Sequence, residues 1–158
     1  MNVLLDVVGD QSGKQYKMDH YATRYPTNVE DIAGFLVRAI GTVCFKSQDG
    51  LFNVDVCSLS LSLSLSLSLG HKKQLPPILH YSGDEPFTKY EMCLVFAKIL
   101  GLSHDHIIPD THPPTGADAT TRPRDCHLST KETEDLDIPG GLGLSLFNEW
   151  WSQHLGKQ

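Results

Sequence analysis

Three features of this 158-residue chain predict an α/β fold. A β-prone run, a turn and an amphipathic helix follow one another over 77–100. A second amphipathic helix, with start and stop signals of its own, spans 28–40. The hydrophobic content of 40% is ordinary for a globular core, and the length suits one domain.

In chain order, Met1 to Gly9 is apolar enough for the tail of a helix or a strand, but carries no helix start signal. Asp10 to Gly13 is a turn. Lys17-Met18-Asp19-His20 leads into the second unit, where Thr27 and Glu30 have the spacing of a capping box. Glu30 and Asp31 suit the positive first turn of a helix. Val29, Ile32, Ala33, Leu36 and Ile40 form one apolar stripe, and Gly41 is the expected stop. Burying the four large aliphatics there is worth about 6–12 kcal/mol gross, so the helix needs a partner surface.

From about Thr42 to Gln74 the pattern breaks. Ser58 to Leu69 alternates serine and leucine strictly, which is the period of a half-buried strand. The run is uniform, so its register is poorly specified. With serine at every second position it is no membrane span. A repeated CT dinucleotide encodes such a run, because TCT and CTC alternate in one frame. Residues 42–74 are therefore expected to be a low-complexity insertion, unstructured or an artefact of the gene model.

The strongest unit follows. Ile78-Leu79-His80-Tyr81 is β-prone, and Ser82 to Pro86 is a cluster of turn formers. Thr88 and Glu91 are spaced as a capping box. Met92, Val95, Phe96, Ile99 and Leu100 make one buried stripe, and Gly101 suits a left-handed helix end. The stretch after Gly101 is turn-rich, with Ile107-Ile108 its one apolar pair. Ser129 and Glu132 repeat the capping-box spacing before a short helix near 130–135. Leu144, Phe147, Trp151 and Leu155 place a last helix before Gly156.

The net charge of −6 comes with dispersed basic residues, so no phosphate-backbone partner is indicated. Cys44, Cys57, Cys93 and Cys126 form no Cys-x-x-Cys pair and read as free thiols of a reducing compartment. Asp6 interrupts the N-terminal apolar run before a signal peptide can form, so a cytoplasmic protein is expected, with no nucleic-acid and no membrane partner.

The stretch HYSGDEPFTKYEM resembles the segment that enters the substrate-binding half of extended short-chain dehydrogenases/reductases, in the dTDP-4-dehydrorhamnose reductase (RmlD-like) group. That group has a motif Asp-Gln-x-Gly-x-Pro-Thr-x-x-x-Asp-x-Ala. Asp19, Pro26, Thr27, Asp31 and Ala33 resemble it, with His20 in place of the glutamine and Arg24 inserted nearby. Arg122-Pro123 followed by Leu128 resembles the group's Arg-Pro loop, with Asp125 and Cys126 where asparagine and serine are usual. The Asp-His and Arg-x-Pro-Thr features are similar to those of the regulatory β subunits of methionine adenosyltransferase.

The resemblance implies the C-terminal part of a Rossmann-type extended reductase fold, over 1–41 and 75–158, without the N-terminal dinucleotide-binding half. Its ligand-loop candidates are Asp19, His20, Arg24, Pro26, Thr27, Arg122 and Pro123. The full-length family implies NADP as cofactor and, for the β subunits, the catalytic subunit of methionine adenosyltransferase as partner.

The chemistry of a reductase is not found in this sequence. Gly141-x-Gly143, the one Gly-x-Gly of the chain, precedes a C-terminal helix and follows no strand, unlike a dinucleotide-binding turn. No Tyr-x-x-x-Lys is present: four residues after Tyr81 stands Glu85, after Tyr90 Leu94, after Tyr21 Tyr25. No catalytic or cofactor-binding residue is therefore assigned, and hydride transfer is not expected of this chain. His104, His106, His112, Cys126 and His127 match no compact ligand spacing, so no metal is assigned. Arg122, Arg124 and Lys131 suit either an anion or a carboxylate partner within the loop.

By resemblance, the leading expectation is a truncated relative of the β subunit that binds the catalytic subunit and supports S-adenosylmethionine synthesis. A truncated NAD(P)-dependent dTDP-4-dehydrorhamnose reductase-like enzyme and a non-functional gene-model product are the alternatives.

Overall fold

Two short parallel strands and one capped helix organise the molecule. The computed structural model describes residues 2–44, 78–113 and 123–156. Helix α1 (Asn2–Gly9) precedes strand β1 (Tyr16–Asp19), helix α2 (Val29–Cys44) and helix α3 (Lys89–Leu100). Strand β2 (Ile107–Asp110), the single-turn α4 (Lys131–Glu134) and α5 (Phe147–Leu155) complete the order. β1 pairs with β2 in parallel, Tyr16 opposite Ile107 and Asp19 opposite Asp110. Hydrogen bonds from Tyr16 N to His106 O and from His20 N to Asp110 O extend the ladder at both ends.

Helix α3 forms as its sequence predicts. The Thr88 side chain accepts from the Glu91 amide and the Glu91 carboxylate accepts from the Thr88 amide, satisfying two of the amides that a helix start leaves bare. Gly101 ends the helix at φ 65°, a left-handed conformation that costs a residue with a Cβ about 1–2 kcal/mol. The buried face is rotated from the expected stripe. Met92, Cys93, Phe96 and Ala97 are buried, while Val95, Ile99 and Leu100 are only partly so. The reason is that α1, the strand pair and α5 all pack on α3. Val8, Met18, Met92, Cys93, Phe96, Ala97, Ile107 and Phe147 make the main core. Phe96 lies between Phe147 and Trp151, with ring centroids at 5.6 and 5.0 Å. Burial pushes the Cys93 thiol up to about 11 against a small opposing effect of Lys89, so it is a packed, unreactive group.

Helix α2 departs from its sequence reading at both ends. Asn28, not Thr27, caps it: the Asn28 Oδ1 accepts from the Glu30 amide at 3.0 Å and the Asn28 carbonyl from the Ile32 amide. Gly41 does not stop it, and the helix continues to Cys44. A glycine ends a helix only where the chain turns left-handed, and otherwise it merely weakens the helix. Phe35 and Ala39 form a second, smaller core with Ile138 and Leu142, against which Tyr81, Leu136 and Leu144 pack.

Three further expectations are corrected. Residues 78–81 form no strand. Side chains occupy their polar groups instead: Thr133 Oγ1 donates to the His80 carbonyl at 2.6 Å, and Tyr81 Oη donates to the Leu142 carbonyl at 3.0 Å. The Ser129–Glu132 box does not form, because Thr130 occupies the cap position of α4 and its hydroxyl bonds Glu134. The apolar pair Ile107-Ile108, read as part of a turn-rich stretch, is strand β2. The Ser-Leu run and the rest of 45–77 lie outside the described residues.

Candidate functional site

The loop between β1 and α2 carries five of the seven candidates, and backbone bonds fasten it on two sides. Arg24 and Phe87 exchange both hydrogen bonds of an antiparallel bridge, at 2.8 and 2.9 Å. On the other side Thr23 N donates to the Arg124 carbonyl at 2.7 Å, within a parallel bridge of Thr23 and Asp125. Segments about sixty and one hundred residues away in sequence thus clamp the 19–27 loop.

Asp19 anchors the loop from within. Its Oδ1 accepts from the Tyr21 and Ala22 amides at 2.9 and 3.1 Å, and its Oδ2 from the Arg24 guanidinium at 3.0 Å. Burial works against the charged carboxylate, but these two amides and Arg24 outweigh it and hold Asp19 below the usual carboxylate range. Arg24 Nε is buried with no acceptor among the described residues.

His20 joins the loop to the start of α3. Its Nδ1 lies 2.9 Å from Thr88 Oγ1, and its ring packs on Tyr90 at 5.0 Å. The Thr88 hydroxyl donates to the Glu91 carboxylate at 2.9 Å, so it accepts from His20. That fixes the proton on Nδ1 and leaves Nε2 the ring's acceptor in the neutral form. The helix cap and the site loop therefore share one hydroxyl.

Pro26 and Thr27 meet the turn at Gly83. Thr27 Oγ1 accepts from the Gly83 amide at 3.0 Å and donates to the Tyr25 carbonyl at 3.2 Å. A Cβ on Gly83 would stand 2.5 Å from the Pro26 carbonyl oxygen, so the close approach requires glycine. Pro26 and Thr27, with Asn28 and Val29, also form one wall of a cleft of about 190 Å³. Ser145, Phe147, Trp150 and Trp151 form the other. Two carboxylates of α2 tie the two walls, and a third ties the second wall to the 82–86 turn. Asp31 accepts from the Ser145 amide and hydroxyl, Glu30 from Trp150 Nε1 at 3.0 Å, and Glu85 from the Phe147 amide.

Pro123 lies in the strand-like segment beside the loop, where its carbonyl accepts from Cys126 Sγ at 3.7 Å. Arg122 lies outside the described residues. Arg124 stands over the Tyr21 ring at 5.2 Å, and His127 packs on Tyr25 with centroids 4.3 Å apart. Desolvation and the nearby Asp125 carboxylate raise the Tyr25 hydroxyl above its ordinary range. Two other histidines have partners away from this loop: His106 bonds the Val7 carbonyl and His112 pairs with Asp110.

The structure thus brings Asp19, His20, Arg24, Pro26, Thr27 and Pro123 into one neighbourhood. Sequence reasoning missed Tyr21, Tyr25, Phe87 and Thr88 as parts of it, and named Arg124, Asp125 and His127 without placing them against this loop. Thr88 was legible as a cap, but its second bond to His20 spans 68 residues and leaves no local pattern. Chemically the arrangement holds an ion pair, an oriented imidazole and tilted ring pairs, a set suited to binding. No helix among the described residues is long and apolar enough to cross a membrane.

No protein-family model matches the chain. Methionine adenosyltransferase 2 subunit beta of Pongo abelii is 32% identical over 132 residues, covering 80% of this chain and 30% of the relative. The Bos taurus protein of the same name gives the same identity and coverage. That of Xenopus tropicalis is 30% identical over 138 residues, covering 87% of this chain and 33% of the relative. The chain spans about a third of the length of the curated relatives it matches. It is homologous to methionine adenosyltransferase 2 subunit beta at about 30% identity over most of its own length.

Proposed function

We propose that the chain is a binding and regulatory element of methionine adenosyltransferase, which docks on the catalytic subunit and supports S-adenosylmethionine synthesis in the cytoplasm. The observation that carries this reading is the identity to the beta subunits over four-fifths of the chain. The site agrees with it in kind. An Asp19–Arg24 pair, an imidazole with a fixed tautomer and a clamped loop present groups for recognition.

In this reading 1–41 and 75–158 form one region of an extended short-chain dehydrogenase/reductase-type fold. NADP binding belongs to the family's dinucleotide-binding half, and the ligand-facing loop is 19–27 with Arg122 and Pro123. The test is direct. The purified chain is mixed with the catalytic subunit, complex formation is followed by sedimentation velocity, and the rate of S-adenosylmethionine formation is measured. A complex of micromolar or tighter affinity that alters the rate is expected. Absence of a complex, together with micromolar NADPH binding and NADPH-dependent reduction of a 4-keto nucleotide sugar, would favour the reductase reading instead.

A further inference from the structure

We draw no further inference here: the strongest candidate, the cleft between α2 and α5 together with the outer apolar stripe of Val29, Leu36 and Ile40 that runs from it, is uncovered in a chain spanning about a third of its relatives, and nothing in the structure shows what covers it.

Discussion

Helices α2 and α3 advertise themselves in sequence by the same three devices and end up in opposite situations. Each has a threonine and a glutamate at capping-box spacing, an apolar stripe, and a glycine after its last apolar residue. In α3 the cap and the glycine stop act as expected, the stripe is buried on a face rotated from the expected one, and the helix is surrounded by α1, the strand pair and α5. In α2 none does: Asn28 caps, Gly41 is passed through, and much of the stripe faces outward. A local signal specifies a helix. What it cannot specify is whether the chain supplies a surface on each side.

The largest effect should separate the two helices by packing. Phe96→Ala removes a fully buried ring that touches Phe147 and Trp151, and is expected to cost about 3–5 kcal/mol. Leu36→Ala, on the outer stripe of α2, is expected to change stability by no more than about 0.5–1 kcal/mol. Urea unfolding of the two variants checks both. A loss at Leu36 as large as that at Phe96 would mean the outer stripe is covered in solution.

The same contrast shows how much was readable in advance. Helix α3 was legible to the residue, because its cap and stop are local hydrogen bonds and one backbone angle. Helix α5 and the short α4 were legible in position, although α4 uses a different cap. The strands were not. Lys17-Met18-Asp19 has one buried apolar residue, and Ile107-Ile108 stands next to a proline, so neither alternates clearly. Their pairing is decided by the packing of α3 across them. Of the site, the residues of the 19–27 loop were legible through their motif. Its clamps at Phe87 and Arg124, Tyr21 and Tyr25 as ring partners, and the shared hydroxyl of Thr88 depend on contacts far apart in sequence.

Caps come next in size. Thr88→Ala leaves the Glu91 amide and the His20 Nδ1–H without their acceptor, and is expected to cost about 1–2 kcal/mol. Because the hydroxyl is shared, the variant should also loosen the 19–27 loop, seen as faster amide exchange at Tyr21 and Ala22. Asn28→Ala is expected to cost about 1 kcal/mol and Asn28→Asp little, since aspartate keeps the cap. Thr27→Ser should leave α2 unchanged. An Asn28→Ala variant as stable as the parent would restore Thr27 as the cap.

The two glycines after the apolar stripes should respond with opposite sign. Gly101 is left-handed, so Gly101→Ala is expected to destabilise by about 1–2 kcal/mol. Gly41 lies inside α2, so Gly41→Ala is expected to stabilise by about 0.5–1 kcal/mol. Equal losses at both positions, measured by thermal unfolding, would put the end of α2 back at Gly41.

The smallest effect concerns acid, and it places a pH response on the α3 side of the molecule. Asp10 closes the turn between α1 and β1, its carboxylate accepting from the Ser12 amide at 3.0 Å and from the Tyr16 hydroxyl. Bonds from the Ser12 side chain, then Tyr16, then the Ser12 backbone hold the carboxyl down at about 2, against an ordinary 3.8. A folded-state pKa below the unfolded one means that folding favours the ionised form. The contribution is therefore complete above the ordinary value and is lost as pH falls through about 2. Asp19, also held low, adds to the slope in the same direction. Asp10→Asn keeps an acceptor for the turn but cannot titrate, so the midpoint of thermal unfolding should fall less steeply with acid in this variant than in the parent. Because Asp10 is only half-buried, the difference should shrink in high salt. Parallel pH profiles for parent and variant would show that the Asp10 turn does not form in solution, and that α1 is held to β1 by Val8 and the core alone.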